Sequence, residues 1–231
     1  LYLNKIARYI IVSLPVMKRL LSYIYPVTKT INSYYSGPLE ITWFNGKKHL
    51  NSKNANYSYG SLQRILKFGL EKINLSKVNS ILVLGMGGGS VIETLRQDFK
   101  YTKKITAIEI DAVIIDIAKT EFGIVEDENL KIVCADAYDF VKTNDKRFDL
   151  IIVDLYIDLT MPNKFLNIEF WEAVLKSKSL KGDIIFNAAV GTNKSTSDLD
   201  TIISYLRYKV FEISINKKVN ITNKVIIENG F

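Results

Sequence analysis

The stretch Ile81-Leu82-Val83-Leu84-Gly85-Met86-Gly87-Gly88-Gly89-Ser90 runs from four apolar residues into four glycines within five positions. Four apolar residues in a row read as a strand buried on both faces, the mark of a parallel sheet covered on each side. Glycines directly after such a strand let the backbone turn tightly and let a ligand approach the main chain. The helix that follows them offers N–H donors at its start. No Lys-Ser/Thr follows, so the loop is not a P-loop. Gly85, Gly87, Gly88 and Gly89 are therefore candidate cofactor-binding residues.

Downstream of this loop, strands and helices alternate. Strands are expected at 81–84, 105–110, 130–134, 148–154 and 183–188, with helices at 91–99, 138–142 and 168–176, one capped by Asp111 with Val113, Ile114, Ile117 and Ala118 inward, and one around Ile202, Ile203 and Leu206. Two last strands, 211–215 and 224–228, are separated by only a turn's worth of chain and should pair antiparallel. The pattern predicts an α/β fold: a Rossmann-like seven-stranded, mostly parallel sheet with an antiparallel closing strand pair. Upstream, residues 39–50 contain Asn45-Gly46 between two β-prone arms, the signature of a hairpin with a type I′ turn. Ser61 then opens an amphipathic helix with Leu62, Ile65, Leu66, Leu70 and Ile73 on one face. The expected organisation is an N-terminal basic segment (1–38), a β-hairpin region (39–60) and an α/β domain (61–231). Residues 1–16 read either as a short amphipathic helix ended near Pro15 or as sequence upstream of a start at Met17. The apolar run 9–16 is too short for a bilayer, which needs ~20 residues. No small-residue cleavage site follows it, and a cytoplasmic location is expected.

Composition narrows the chemistry. The 231 residues are 48% hydrophobic and 24% charged, with a formal charge of +7. There is one Cys, Cys134, and one His, His49. An internal disulfide and a Cys/His zinc site are thereby excluded, and no metal site is expected. Any triad-type chemistry would have to use His49. Ser90 lacks the Gly-x-Ser-x-Gly elbow of a serine hydrolase. The charge is uneven: residues 1–80 hold 12 Lys and Arg against 2 Asp and Glu, and residues 81–231 hold 19 against 22. Basic faces attract nucleic acid or anionic membranes, but solvation is the commoner use of such a face, and a nucleic-acid partner is not expected.

Acids recur at the carboxyl ends of the expected strands, the edge where open parallel sheets bind ligands. Glu109 stands 24 residues after Gly85. A carboxylate there can accept from both hydroxyls of a ribose. Asp111 reads as the cap of the next helix. Asp136 can accept from an exocyclic adenine amine while the Ala137 N–H donates to a ring nitrogen; capping its own helix is the alternative. Asp154 ends the fourth strand, where it can orient or deprotonate a nucleophile. Tyr156 and Asp158 follow on its loop. Tyr57 and Tyr59 are the aromatics nearest the expected mouth and could stack a substrate, although packing is the commoner role for aromatics of this region.

The segments Leu84-Gly85-Met86-Gly87-Gly88-Gly89-Ser90, Ile108-Glu109-Ile110-Asp111, Ala135-Asp136-Ala137-Tyr138-Asp139-Phe140 and Asp149-Leu150-Ile151-Ile152-Val153-Asp154 together resemble the spermidine synthase-like (polyamine synthase) family, within the S-adenosylmethionine methyltransferase fold class. The likeness covers about residues 38–230. It implies a group transferase whose co-substrate is S-adenosylmethionine or its decarboxylated form. It also implies Glu109 on the ribose, Asp136 on the adenine, the 85–90 loop on the thioether tail and Asp154 as base on an attacking amine. Gln63 falls near a substrate-side position of the family. A small-molecule acceptor is implied, and a homodimer through the edge strands of the hairpin.

The departures bear on the acceptor. The family's glycine loop carries Asp where this chain has Gly88, and that Asp grips the aminopropyl amine. Asp-Ser-Ser-Asp-Pro becomes Asp154-Leu155-Tyr156-Ile157-Asp158, displacing the second acid by one residue. An acidic pair and Tyr before the first helix become Tyr57-Ser58-Tyr59-Gly60. A polyamine site should be lined with carboxylates, so these losses favour a neutral or anionic acceptor and methyl transfer, while the resemblance itself favours aminopropyl transfer. Two other classes fit more loosely. Gly85-x-Gly87-x-x-Ser90 with Glu109 approaches the fingerprint of an NAD-dependent oxidoreductase, and the basic N-terminal section suits a non-catalytic binding module.

Overall fold

The computed structural model describes residues 16–54, 56–158, 160–189, 193–209, 213–216 and 223–228. Two sheets are built from them. A small antiparallel sheet runs in chain order through β1 (Val27–Ser33), β2 (Gly37–Phe44), β3 (Lys47–Asn51) and β4 (Asn56–Ser58). The large sheet has seven strands in the order β10-β11-β9-β8-β5-β6-β7. Its strands are β5 (Ser80–Leu84), β6 (Lys104–Glu109), β7 (Leu130–Cys134), β8 (Phe148–Val153), β9 (Lys178–Ala189), β10 (Ile213–Asn216) and β11 (Asn223–Glu228). The helices are α1 (Gly60–Leu70), α2 (Ser90–Gln97), α3 (Ala112–Phe122), α4 (Ala137–Thr143), α5 (Ile168–Lys176) and α6 (Asn193–Lys209).

β5 through β9 pair in parallel. Their side chains alternate between two cores. Ile81, Val83, Ile105, Ala107, Leu150 and Ile152 point to the face covered by α1 and α2. Leu82, Leu84, Ile108, Ile151 and Val153 point to the face covered by α4, α5 and α6. Ile81 to Leu84 are all fully buried, which is why that strand carries no polar alternation. Each such side chain stabilises the fold by about 1.5–3 kcal/mol relative to exposure. The expected antiparallel closing pair is present between β10 and β11. The structure adds its placement: the chain crosses to the sheet edge for β10 and returns so that β11 fills the gap beside β9. Val225, Ile226 and Ile227 are buried accordingly. Residues 211–212 of the expected strand lie outside the described residues, as do residues 1–15.

The hairpin forms as its turn chemistry requires, with Asn45 at φ 49° and Gly46 at φ 72°. It is part of a larger unit than residues 39–60, because β1 lies within the expected basic segment and pairs along β2 from Val27 to Ser33. Leu39, Ile41 and Leu50 pack on Ile114 and Ile117 of α3. The sequence pattern of β1, Val27-Thr28-Lys29-Thr30-Ile31, is a sparse edge-strand alternation that does not by itself predict a strand. Lys48 pairs with Glu121 of α3 at 2.9 Å and Lys29 with the same carboxylate at 3.5 Å. Part of the N-terminal charge therefore docks the small sheet onto the large domain. His49 lies on β3 opposite Thr42; burial and the neighbouring Lys47 push its pKa down.

Candidate active site

The glycine loop, Glu109, Asp136 and Asp154 converge at the carboxyl edge of β5, β6, β7 and β8. This follows from parallel strands in register: Glu109 ends β6, Asp136 lies two residues past β7 and Asp154 one residue past β8. Gly85 holds φ 88°, and a Cβ there would sit 2.0 Å from the Asp154 carbonyl oxygen. Only glycine allows that approach. The Asp154 N–H also donates to Leu84 O at 2.9 Å, so the end of β8 is fixed against the glycine loop.

Glu109 is buried, and its two oxygens accept from the Gly87 N–H at 2.9 Å and the Asp111 N–H at 3.1 Å. Desolvation outweighs those bonds and pushes its pKa up to about 7. Two backbone donors fix the plane of the carboxylate, and each oxygen keeps further lone-pair capacity for a diol. Asp111 caps α3 through the Val113 N–H at 3.0 Å, and its other oxygen accepts from Ser33 and Ser36 Oγ. It is a buried cap and a tie to the small sheet, as its position before a helix suggests. Asp136 caps α4 through the Tyr138 N–H at 2.8 Å and pairs with Lys164. The cap uses one carboxylate oxygen and the expected contact to a base would use the other, which Lys164 covers. Ala137 opens α4, so its N–H is among those a helix start leaves without an intrahelical partner.

Asp154 accepts from Asn187 Nδ2 at 2.9 Å. Burial pushes its pKa up to about 6, against the lowering effect of that bond. The Asn187 backbone oxygen accepts from Tyr156 OH at 2.9 Å. Asn187 therefore organises the end of β8 and the loop after it, and sequence reasoning did not single it out. A signal existed: it is a polar residue in the apolar run of β9, 1% exposed, and buried polar groups have partners.

The remaining substrate-side candidates are placed differently. Asp158, at φ 54°, accepts from Ser52 Oγ at 2.6 Å and from Asn54 N at 3.1 Å and Nδ2 at 2.7 Å. It ties the loop after β8 to the small sheet. Tyr59 is buried, stacks on Phe122 with ring centroids 4.4 Å apart, and donates to Gly88 O at 3.3 Å. Burial first, and Glu93 second, push its pKa up. It packs beneath the glycine loop and does not offer an open stacking face. Gln63 donates to Thr94 Oγ1 at 3.0 Å between α1 and α2. The side chain of Tyr57 lies outside the described residues.

Gly88 shows why no acid stands in the glycine loop. A Cβ at Gly88 would lie 2.9 Å from Ser58 Cβ and 3.2 Å from Leu50 Cδ2. Ser58 Oγ also accepts from the Ser90 N–H at 3.3 Å. β3 and β4 thus occupy the space that a side chain at position 88 would need. Among the described residues, no group of three or more His, Cys, Asp or Glu is placed to hold a metal ion. No described helix is long and apolar enough to cross a membrane.

Known proteins are similar to this chain in sequence or in fold. A probable polyamine aminopropyl transferase of Bifidobacterium longum is 31% identical over 109 residues, which is 47% of this chain and 24% of that protein. The matched stretches are 14% to 29% of the length of the curated relatives, less than a third of each. A probable spermidine synthase from Corynebacterium glutamicum superposes with a TM-score of 0.64 at 17% identity, covering 89% of this chain and 77% of that one. Human methyltransferase-like protein 13, solved in complex with SAH, superposes with a TM-score of 0.61 at 21% identity, covering 74% and 82%. At these identities the superpositions establish the fold. The Spermine/spermidine synthase domain matches residues 64–217, well over half of the chain, and by that match, on a sheet that carries its acids at the carboxyl edge, the chain belongs to the spermine/spermidine synthase family.

Proposed function

We propose that the chain is a transferase that takes a sulfonium nucleoside of the S-adenosylmethionine type and moves its methyl group to a small-molecule acceptor, releasing the thioether nucleoside. When bound, the donor supplies an electrophilic carbon next to a positively charged sulfur. The protein's part is positioning. Glu109, with its carboxylate plane set by Gly87 and Asp111, takes the ribose hydroxyls. Asp136 and the Ala137 N–H take the base, with Lys164 withdrawn from Asp136. Asp154, adjoining Gly85, holds the acceptor's nucleophilic atom and takes its proton at the carboxylate. A pKa near 6 suits that role, because the group is ionised at neutral pH and still basic enough to accept a proton.

The observation that carries methyl over aminopropyl transfer is the closure of Gly88 by Ser58 and Leu50. A decarboxylated donor ends in an uncompensated ammonium, and position 88 offers it no anion. The family match supports the aminopropyl reading, which is the alternative. Family membership leaves the dinucleotide and binding-module readings without comparable support. Calorimetry with S-adenosylmethionine and with its decarboxylated form tests the proposal. Tighter binding of the carboxylated donor is expected. Tighter binding of the decarboxylated form overturns the methyl reading, and binding of neither overturns the donor assignment.

A further inference from the structure

Residues 16–25 and the tip of the β2–β3 hairpin carry an exposed apolar surface outside the site. Leu20 is 63% exposed, Ile24 88%, Tyr25 76% and Phe44, on the hairpin, 49%. This surface is held in place. Ser22 is 1% exposed. Its carbonyl accepts from Asn45 N at 3.0 Å and its Oγ from Gly46 N at 2.9 Å, while Oγ donates to Arg19 O at 2.6 Å. The N–H groups of residues 22–25 are all bonded back onto residues 18–21. An apolar turn whose amides are already bonded can enter an apolar medium without stranding them.

The charge around it has one sign. Lys18, Arg19 and Lys47 border the surface, and among the described residues none of the three makes an ion pair. The one acid within residues 16–50 is Glu40, which pairs with Asn51 at the other end of the hairpin. The preceding residues 1–15 are also apolar, with Lys5 and Arg8 and no acid. A two-fold contact between copies would set these cations against their own images with no acid to pair them. A surface that joins aliphatic and tyrosine side chains to cations fits the headgroup boundary of an anionic bilayer, where the rings sit at the interface and the cations meet lipid phosphate.

We propose that residues 16–25 with the hairpin tip form a docking surface for anionic lipid bilayers. The chain then rests on the membrane, with the small sheet between the lipid and the carboxyl edge of the large sheet. The test is co-sedimentation of the full chain with vesicles of phosphatidylcholine alone and of phosphatidylcholine with about one third phosphatidylglycerol. Binding to the anionic vesicles, weakened by salt, is expected. K18E/R19E should lower the partition coefficient at least about ten-fold, from the loss of cations near a charged surface. L20S/I24S should lower it about ten-fold through lost apolar insertion. Arg19, Leu20 and Ile24 are exposed and Lys18 is half-buried, and far-UV circular dichroism checks that the variants fold. Absence of binding to anionic vesicles overturns the proposal. So does binding that both double variants retain, or a concentration-dependent dimer that L20S/I24S dissolves without any vesicle binding. Retention on duplex DNA at high salt without vesicle binding also overturns it.

Discussion

The two halves of the carboxyl edge are built differently. On the half proposed to hold the donor, the glycine loop, Glu109 and Asp136 each follow their own strand, and each acid is held by backbone N–H groups at most 22 residues away. On the half proposed to hold the acceptor, Asp154 depends on Asn187, 33 residues on, and Asp158 on Ser52 and Asn54, more than 100 residues back. The donor half is made of turns and caps that short sequence spans encode. The acceptor half exists only after β8, β9 and the small sheet have met. The difference suits a division of labour in which a common donor is read by local geometry and the acceptor by whatever the small sheet brings to the edge.

The strongest way to break this division is Asp154→Asn. Turnover should fall about a hundred- to ten-thousand-fold, the range for a removed general base, with donor affinity kept. An equal loss of donor affinity would place Asp154 in the donor half. Glu109→Gln should do the reverse and lower donor affinity about ten- to a hundred-fold, since a hydrogen bond to a charged partner is worth ~1.5–3 kcal/mol; calorimetry reads it directly. The same variant has a pH signature. Glu109 is raised from 4.5 to about 7 in the folded protein. Its contribution to stability is therefore fully present below pH 4.5 and is lost as pH rises through about 7, because the unfolded chain ionises first. Urea unfolding of the unliganded protein should lose stability across that window, and Glu109→Gln should lose less. A parallel decline in both would mean that Glu109 does not carry the effect.

Gly88→Asp sharpens the contrast between this chain and the acid-bearing loop of its family. The new side chain meets Ser58 and Leu50, so the melting midpoint should drop by the equivalent of about 1–3 kcal/mol, the usual cost of overpacking. A stable variant with improved affinity for the decarboxylated donor would show that the space is open. Asp158→Gly has the smallest expected effect on stability. It removes three hydrogen bonds to Ser52 and Asn54 but relieves a positive φ, so the net change should be within about 1 kcal/mol. Acceptor KM should rise while donor affinity is unchanged. Unchanged acceptor kinetics would remove the loop after β8 from the acceptor side.

Several elements were legible residue by residue. Ile81 to Leu84 read as a doubly buried strand because each of its side chains faces one of two cores. Asn45-Gly46 read as a hairpin because two positive φ angles suit that pair. The strand at 130–134 and the helix at 168–176 fall where periodicity put them. β9 is longer than expected, from Lys178, since its first residues pair at the strand end with little apolar pattern to mark them. β1 was not legible, because an edge strand needs no strong hydrophobic alternation when only one partner and half a face are buried. Tyr59 was read toward the mouth; its stacking on Phe122, 63 positions on, is invisible in the sequence around it.

By itself the sequence determined the alternation of strands and helices in the large domain, the turn of the hairpin and the acids that end its strands, because these depend on the period of apolar residues and on residues a few positions apart. Tertiary structure alone decided that β11 lies inside the sheet and β10 at its edge. It alone decided that Ser58 closes Gly88, that Lys164 covers Asp136 and that Asn187 holds Asp154. Each of these joins segments whose spacing along the chain has no fixed relation to their distance in space, and only the packed core sets that distance.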